Sequence, residues 1–292
     1  MNAVRWLLTM GLVLVVTIAQ AADPCDGFRI GRYVAPPRAG AANSWWIEGP
    51  SGVVLVDTQL LPSATRELVE VAESYTGKKV VLAFVLQPTP DRYNGTAWLT
   101  EHGVRVVSSE QVVNAIPGVD RRTREDLGSR FRPDYPEKLV LPRVFGAETL
   151  TVAGAGLDFQ LHVLGAAVAK AHLAVQLGPH LFVGDLLANR HHARLEAGAL
   201  DEWLARLDEL KRLGAQYLYP GRGYASGPVL IDRQAEYLKV VRNEIAARHP
   251  RGPMPANIEE DILSGIEQRY PDYENSDFLA PGVEALWRKY AK

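Results

Sequence analysis

Four short runs rich in aliphatic and aromatic residues in this chain each stop at a polar or glycine-rich segment, and that repeated edge limits the possible folds more than any other feature. Val53-Val54-Leu55-Val56 halts at Asp57-Thr58, and Val80 to Leu86 halts at Gln87-Pro88-Thr89-Pro90-Asp91-Arg92. Leu181-Phe182-Val183 meets Gly184-Asp185, and Gln216 to Tyr219 ends in Pro220-Gly221-Arg222-Gly223. Continuous apolar runs this short suit strands buried on both faces better than helices. Helical periodicity lies between them. Ala64, Leu68, Val71, Ala72 and Tyr75 recur behind Pro62-Ser63, and Leu200, Trp203, Leu204, Leu207, Leu210 and Leu213 mark a second amphipathic helix. Buried strands covered by helices define an α/β protein, and in such sheets the polar strand ends gather at one rim, where ligands bind. The four segments are therefore the candidate site.

The first half reads β-β-α-β-α-β. Ser44 to Ile47 and Val53 to Val56 form a hairpin through Gly49-Pro50-Ser51-Gly52, and Val104 to Val107 follows a helix over Ala97 to Glu101. Residues 117–142 alternate Arg, Asp and Glu densely and are expected to insert a solvated helix with a loop. Strands resume at Phe159 to Leu164 and Leu173 to Leu177, a helix spans Ile231 to Ile245, and residues 250–292 form a C-terminal extension. A chain of 292 residues, 47% hydrophobic, can close one large core, so one domain is expected over residues 22–292.

With 32 basic and 34 acidic residues, and the basic ones scattered, the chain lacks the electrostatic footprint of a nucleic-acid binder. At the N-terminus, Arg5 precedes an apolar run from Leu7 to Ile18 that ends at Ala19-Gln20-Ala21, the pattern of a secretory signal peptide over residues 1–21. The run is shorter than the roughly 20 residues a membrane span requires. Cleavage would leave an exported periplasmic or secreted protein without a stable membrane anchor. Cys25 is the single cysteine, so an intramolecular disulfide is excluded, and Asp23-Pro24 before it does not suit lipid attachment.

The segments Asn43-Ser44-Trp45-Trp46-Ile47, Gly52-Val53-Val54-Leu55-Val56-Asp57-Thr58, Gln87 to Arg92 with Asn94-Gly95, Leu181-Phe182-Val183-Gly184-Asp185 and Tyr219-Pro220-Gly221-Arg222-Gly223 resemble the metallo-β-lactamase superfamily across nearly the whole mature sequence. The resemblance implies a four-layer αββα sandwich with a zinc site along one edge. Gly184 to Arg190 and the closing Leu279-Ala280-Pro281 are most similar to exported branches linked to quinoprotein or sulfur-oxidation systems.

The departures from the family pattern bear on chemistry. Its H-x-H-x-D-H motif aligns with Gln87-Pro88-Thr89-Pro90-Asp91-Arg92, a further histidine aligns with Ala166, and the histidine of P-G-H-G aligns with Arg222; Asp91 and the bridging carboxylate, Asp185, are kept. Catalytic zinc takes three protein ligands, mostly imidazoles. A guanidinium has no lone pair to offer and stays charged, so Arg92 and Arg222 would stand where the cation is expected and neutralise Asp91 and Asp185 in its place. The pocket residues implied are Asp57, Gln87, Thr89, Asp91, Arg92, Ala166, Asp185 and Arg222. Of seven histidines, His172, His191 and His192 alone follow the lost ligands closely enough to rebuild a centre with Asp91 and Asp185.

Two functions follow. One is a non-hydrolytic binding or accessory protein, a pseudoenzyme of a zinc hydrolase family, with no cofactor and an Arg/Asp-lined pocket for a small anion or a contact for a periplasmic protein. The alternative is a metal-dependent hydrolase of an ester, thioester or lactam that binds zinc through divergent ligands.

Overall fold

A computed structural model describes residues 28–291. The expected signal peptide, residues 1–21, and Cys25 lie outside the described residues. Among the described residues eleven strands form two sheets. The first has the order β1-β2-β3-β4-β5-β6, built from Arg29–Val34, Asn43–Gly49, Gly52–Val56, Val80–Phe84, Arg105–Ser108 and Arg143–Val144. The β1, β2 and β3 pairs run antiparallel, and β3 to β6 pair in parallel. The second has the order β11-β10-β9-β8-β7, with β7 Leu150–Gly154, β8 Leu157–Leu164, β9 His172–Leu177, β10 His180–Ala188 and β11 Tyr217–Arg222. Only the β10 and β11 pair is parallel there.

Period-two alternation divides the apolar residues between three cores. Along β3 and β4, Val54, Val56, Leu82 and Phe84 face the second sheet and meet Phe159, Leu173, Val175 and Phe182. Val53, Leu55 and Ala83 point the other way, joined by Val80 across the register shift at the start of β4, under α1 Pro62–Thr76, α3 Thr96–Glu101 and the long α4 Glu110–Phe131. The second sheet's outer face lies beneath α5 Leu200–Arg212, α6 Val229–Ala246, α7 Ala256–Arg269 and α8 Leu279–Tyr290. The expected order of layers, helix, sheet, sheet, helix, is the one observed. Among the described residues no helix is long and apolar enough to cross a membrane.

Several elements differ from expectation. Strand β1 has no apolar run to announce it; Gly31 lies flat under the Trp46 indole, where a Cβ would come within 2.7 Å of Nε1. Helix α4 begins at Ser109, whose hydroxyl accepts from the Val112 N–H, and continues through Pro117. Its Val112, Ile116 and Phe131 enter the core, while the charged residues from Arg121 to Arg130 stay on its solvent side ahead of the loop that follows. The C-terminal extension packs on the second sheet's side, where Ile262, Ile266, Val283, Leu286 and Trp287 complete the outer core.

Candidate functional site

Two of the four polar segments are not turns. Strand β10 continues through Gly184-Asp185 to Ala188, and β11 includes Pro220-Gly221-Arg222. Their pairing slips in register on both sides of Gly184, which holds φ +54°. Such a bulge re-aims the next side chain, here the Asp185 carboxylate, towards the rim. The other two segments do leave their strands. Asp57 and Gln59 both adopt positive φ, at 67° and 76°, and between them the Thr58 N–H and hydroxyl both donate to the Arg92 carbonyl, at 2.9 and 2.8 Å. This fixes the short helix α2, Pro90–Tyr93, that carries Asp91 and Arg92.

At the centre is Arg92, whose side chain is 0% exposed. Its Nη1 donates to the Asn43 carbonyl at 2.8 Å and to Asp57 Oδ2 at 3.3 Å; its Nη2 donates to Asp185 Oδ1 at 2.5 Å and to the Gly221 carbonyl at 3.2 Å. Arg222, 3% exposed in its side chain, donates through Nη2 to Asp91 Oδ2 at 2.8 Å, through Nη1 to Asp185 Oδ1, and through Nε to the Gly40 carbonyl at 3.1 Å. Gln87 completes the enclosure: its Nε2 donates to Asp185 Oδ2 at 2.8 Å and to Thr89 Oγ1 at 3.1 Å, and its Oε1 accepts the Asp185 N–H at 3.1 Å.

Three carboxylates thus share two guanidiniums, and burial ranks them. It opposes ionisation of Asp91 and Asp185, but the arginines outweigh it and hold both below the usual carboxylate range. For Asp57 burial prevails over Arg92 and the Leu86 N–H, and the carboxyl is pushed up to about 7. Burial likewise acts against the charge on Arg92, yet the three aspartates raise its affinity for the proton. With Asp57 protonated, two carboxylates balance two guanidiniums.

Seven of the eight pocket residues named from the sequence enter this network; Ala166 lies apart in the loop between β8 and β9. The expectation that Arg92 and Arg222 grip a small anion is corrected: among the described residues their seven hydrogen bonds all go to carboxylates and carbonyls of this chain, and the remaining Arg92 Nε is buried without a partner. The conditional metal set does not assemble either. His191 sits 3.4 Å from Glu274, and His192 packs between Tyr237 and Tyr273 with Nδ1 3.2 Å from the Tyr237 hydroxyl, both towards the C-terminal helices. His172 is buried against the Gly165 carbonyl at 3.1 Å, its Nε2 has no partner, and burial lowers its pKa to about 4. Among the described residues no group of three or more His, Cys, Asp or Glu could hold a metal ion. The donor set does not fit zinc, because the aspartate oxygens already accept from arginine and the positions between them hold cations.

Beside the network lies an open cleft of about 420 Å³. Thr89, Pro90 and Asp91 reach it from the rim, the turn of Pro37 to Gly40 forms one wall, and the outer face of α4 forms another. Arg194 and Phe278 close it, the Arg194 guanidinium lying 4.1 Å above the Phe278 ring. Sequence reasoning missed both residues, since neither falls in a motif or at a strand end.

The chain matches no protein-family model and no curated protein. Its structure is similar to solved ones. A metallo-β-lactamase from Pontibacter korlensis superposes with a TM-score of 0.59 over 76% of this chain and 99% of that one, at 18% identity. The DIM-1 metallo-β-lactamase gives 0.57 over 76% and 97%, at 16% identity. The FIM-1 metallo-β-lactamase from Pseudomonas aeruginosa, solved in its mono-zinc form, gives 0.55 over 76% and 95%, at 16% identity. At such identities the likeness is one of architecture: this chain has the metallo-β-lactamase fold, with a buried arginine–aspartate network along its rim.

Proposed function

We propose that this chain is a non-hydrolytic binding or accessory protein built on the metallo-β-lactamase fold. The observation that carries the reading is the position of Arg92. A guanidinium at 0% exposure, bonded to Asp57, Asp185 and two carbonyls, supplies from within the chain the positive charge that a metal would bring to these carboxylates. It can neither activate water nor leave an open coordination position. The ligand-binding surface is then the neighbouring cleft, and the network is the rigid floor that shapes it.

The signal-like residues 1–21 support action in the periplasm or outside the cell. Gly184 to Arg190, with Leu279-Ala280-Pro281, support a branch linked to quinoprotein or sulfur-oxidation systems. A small anion or a periplasmic protein is the partner that fits this reading.

The test is metal content and turnover on one sample. The mature protein is equilibrated with excess zinc, dialysed and measured for zinc per chain, then assayed against ester, thioester and lactam substrates with and without chelator. Substoichiometric zinc and no chelator-sensitive turnover are expected. Retention of about one zinc per chain together with chelator-sensitive hydrolysis would establish the divergent metallohydrolase instead.

A further inference from the structure

Resting on the reading of this chain as a binder, we propose that the cleft takes a monocarboxylate with an apolar body, and that Arg194 is the residue that reads the carboxylate. Three arginines near the rim differ in how they are held. Arg92 and Arg222 are bound inward, whereas among the described residues the Arg194 guanidinium makes no hydrogen bond. Its Nε is buried and unpaired, and Nη1 lies 3.7 Å from Glu196, past hydrogen-bonding distance. Stacking on Phe278 holds the guanidinium plane in place without using its N–H groups. A planar fork fixed at the edge of a cleft, with its outer donors unengaged, matches the two oxygens of a carboxylate.

The rest of the lining sets the body and the charge. Leu60, Val119, Leu127, Phe131, Val168 and Phe278 present an apolar surface to the cleft, and about 420 Å³ falls low in the roughly 300–1,000 Å³ range of small-molecule sites. Arg38, Arg122 and Arg130 stand around the cleft with no ion-pair partner among the described residues, which favours an anion. Asp126, Glu196 and Asp277 are interspersed with them, so a polyanion would meet repulsion that a single carboxylate avoids. One negative group on an apolar body is the chemistry that satisfies both.

The probe is 4-phenylbutyrate, followed by ligand-detected and amide-resolved NMR on the mature protein, with 4-phenylbutanol, acetate and inorganic phosphate as comparisons. Saturable binding of 4-phenylbutyrate is expected, with the alcohol and the two small anions at least tenfold weaker. Arg194→Gln should weaken the acid tenfold or more and leave the alcohol unchanged. Leu127→Glu, at a half-buried position of α4 in the cleft lining, keeps Arg194 and its stacking, places a negative charge beside the apolar body, and should weaken the acid more than the alcohol. Equal affinity for acid and alcohol, tighter binding of phosphate, no effect of either variant, or no saturable binding would each overturn the ligand class. Chelator-sensitive hydrolysis of ethyl 4-phenylbutyrate would instead overturn the binder reading itself, so the two failures are separable.

Discussion

No side chain can be added at Gly221 without displacing Asp185. The backbone of β11 passes so close to the carboxylate that a Cβ there would overlap Asp185 Oδ1 and lie 2.7 Å from Arg92 Nη2. The backbone dihedral at this glycine is not the constraint; space is. Gly221→Ala must therefore push apart a pair held at 2.5 Å. Overpacking of this kind costs about 1–3 kcal/mol, and separation of a buried ion pair adds to it. Thermal unfolding should fall by roughly 2–4 °C for each kcal/mol in a chain of this size. A variant that melts with the wild type would show that the rim is looser than its contacts imply.

Arg92 tests the network directly. Arg92→Ala leaves Asp57 buried without its cation and Asp185 with Arg222 alone, and should cost about 3–5 kcal/mol, the usual penalty for removing one partner of a buried pair. Adding Asp57→Asn and Asp185→Asn to Arg92→Met removes the charges together with their partner and should recover much of that loss. Denaturant unfolding of the single and triple variants measures the difference. A triple variant less stable than Arg92→Ala would mean that the charges stabilise the fold beyond neutralising one another.

Asp57 gives the network a pH dependence with a definite sign. Its carboxyl sits at about 7 in the folded chain against an ordinary value of 3.8, so between these pH values the native state holds a proton that the unfolded state has released. Stability contributed by that proton is complete below about pH 4, declines as pH rises, and is gone above about pH 7. His172 acts oppositely: with its pKa lowered from 6.5 to about 4 by burial, its neutral form favours folding as pH rises through that window. The wild type minus Asp57→Asn difference isolates the aspartate. Melting temperatures recorded from pH 4.5 to 8 should show the variant gaining on the wild type as pH increases. Parallel profiles would place the Asp57 titration outside this window.

The architecture and most of the network were legible because both rest on short-range signals. Continuous apolar runs in Val53 to Val56 and Val80 to Leu86 announce strands buried on two faces, and the spacing of Gln87, Asp91, Arg92, Asp185 and Arg222 follows the family's motifs. Strand β7 escaped notice because Leu150–Gly154 is a half-exposed edge with little hydrophobic contrast. Two aspartates and two arginines balance as a sum over sequence positions; Asp57 is expected at the pocket from the sequence, but its pairing with Arg92 depends on the turn after β3. The cleft was illegible for a similar reason. Arg194 and Phe278 are 84 positions apart, and no local pattern signals that a ring from the start of α8 will lie beneath that guanidinium.

Arg222 connects the buried network to the cleft wall, and its loss should be felt on both sides. Nε holds the Gly40 carbonyl at 3.1 Å, and Gly40, at φ +83°, closes the Pro37–Ala39 turn that borders the cleft. The same guanidinium bonds Asp91 and Asp185 and lies 5.0 Å from the Phe278 ring that Arg194 covers. Arg222→Lys keeps one charge but offers a single ammonium in place of a planar fork, and cannot serve Gly40, Asp91 and Asp185 together. Hydrogen exchange should accelerate at Gly40, whose N–H donates to the Pro37 carbonyl, in both Arg222→Lys and Arg222→Ala, while the β3 and β4 amides in the central core stay protected. Uniform acceleration across the chain would indicate global destabilisation rather than release of the wall. Unchanged exchange at Gly40 would show that the turn stands without Arg222.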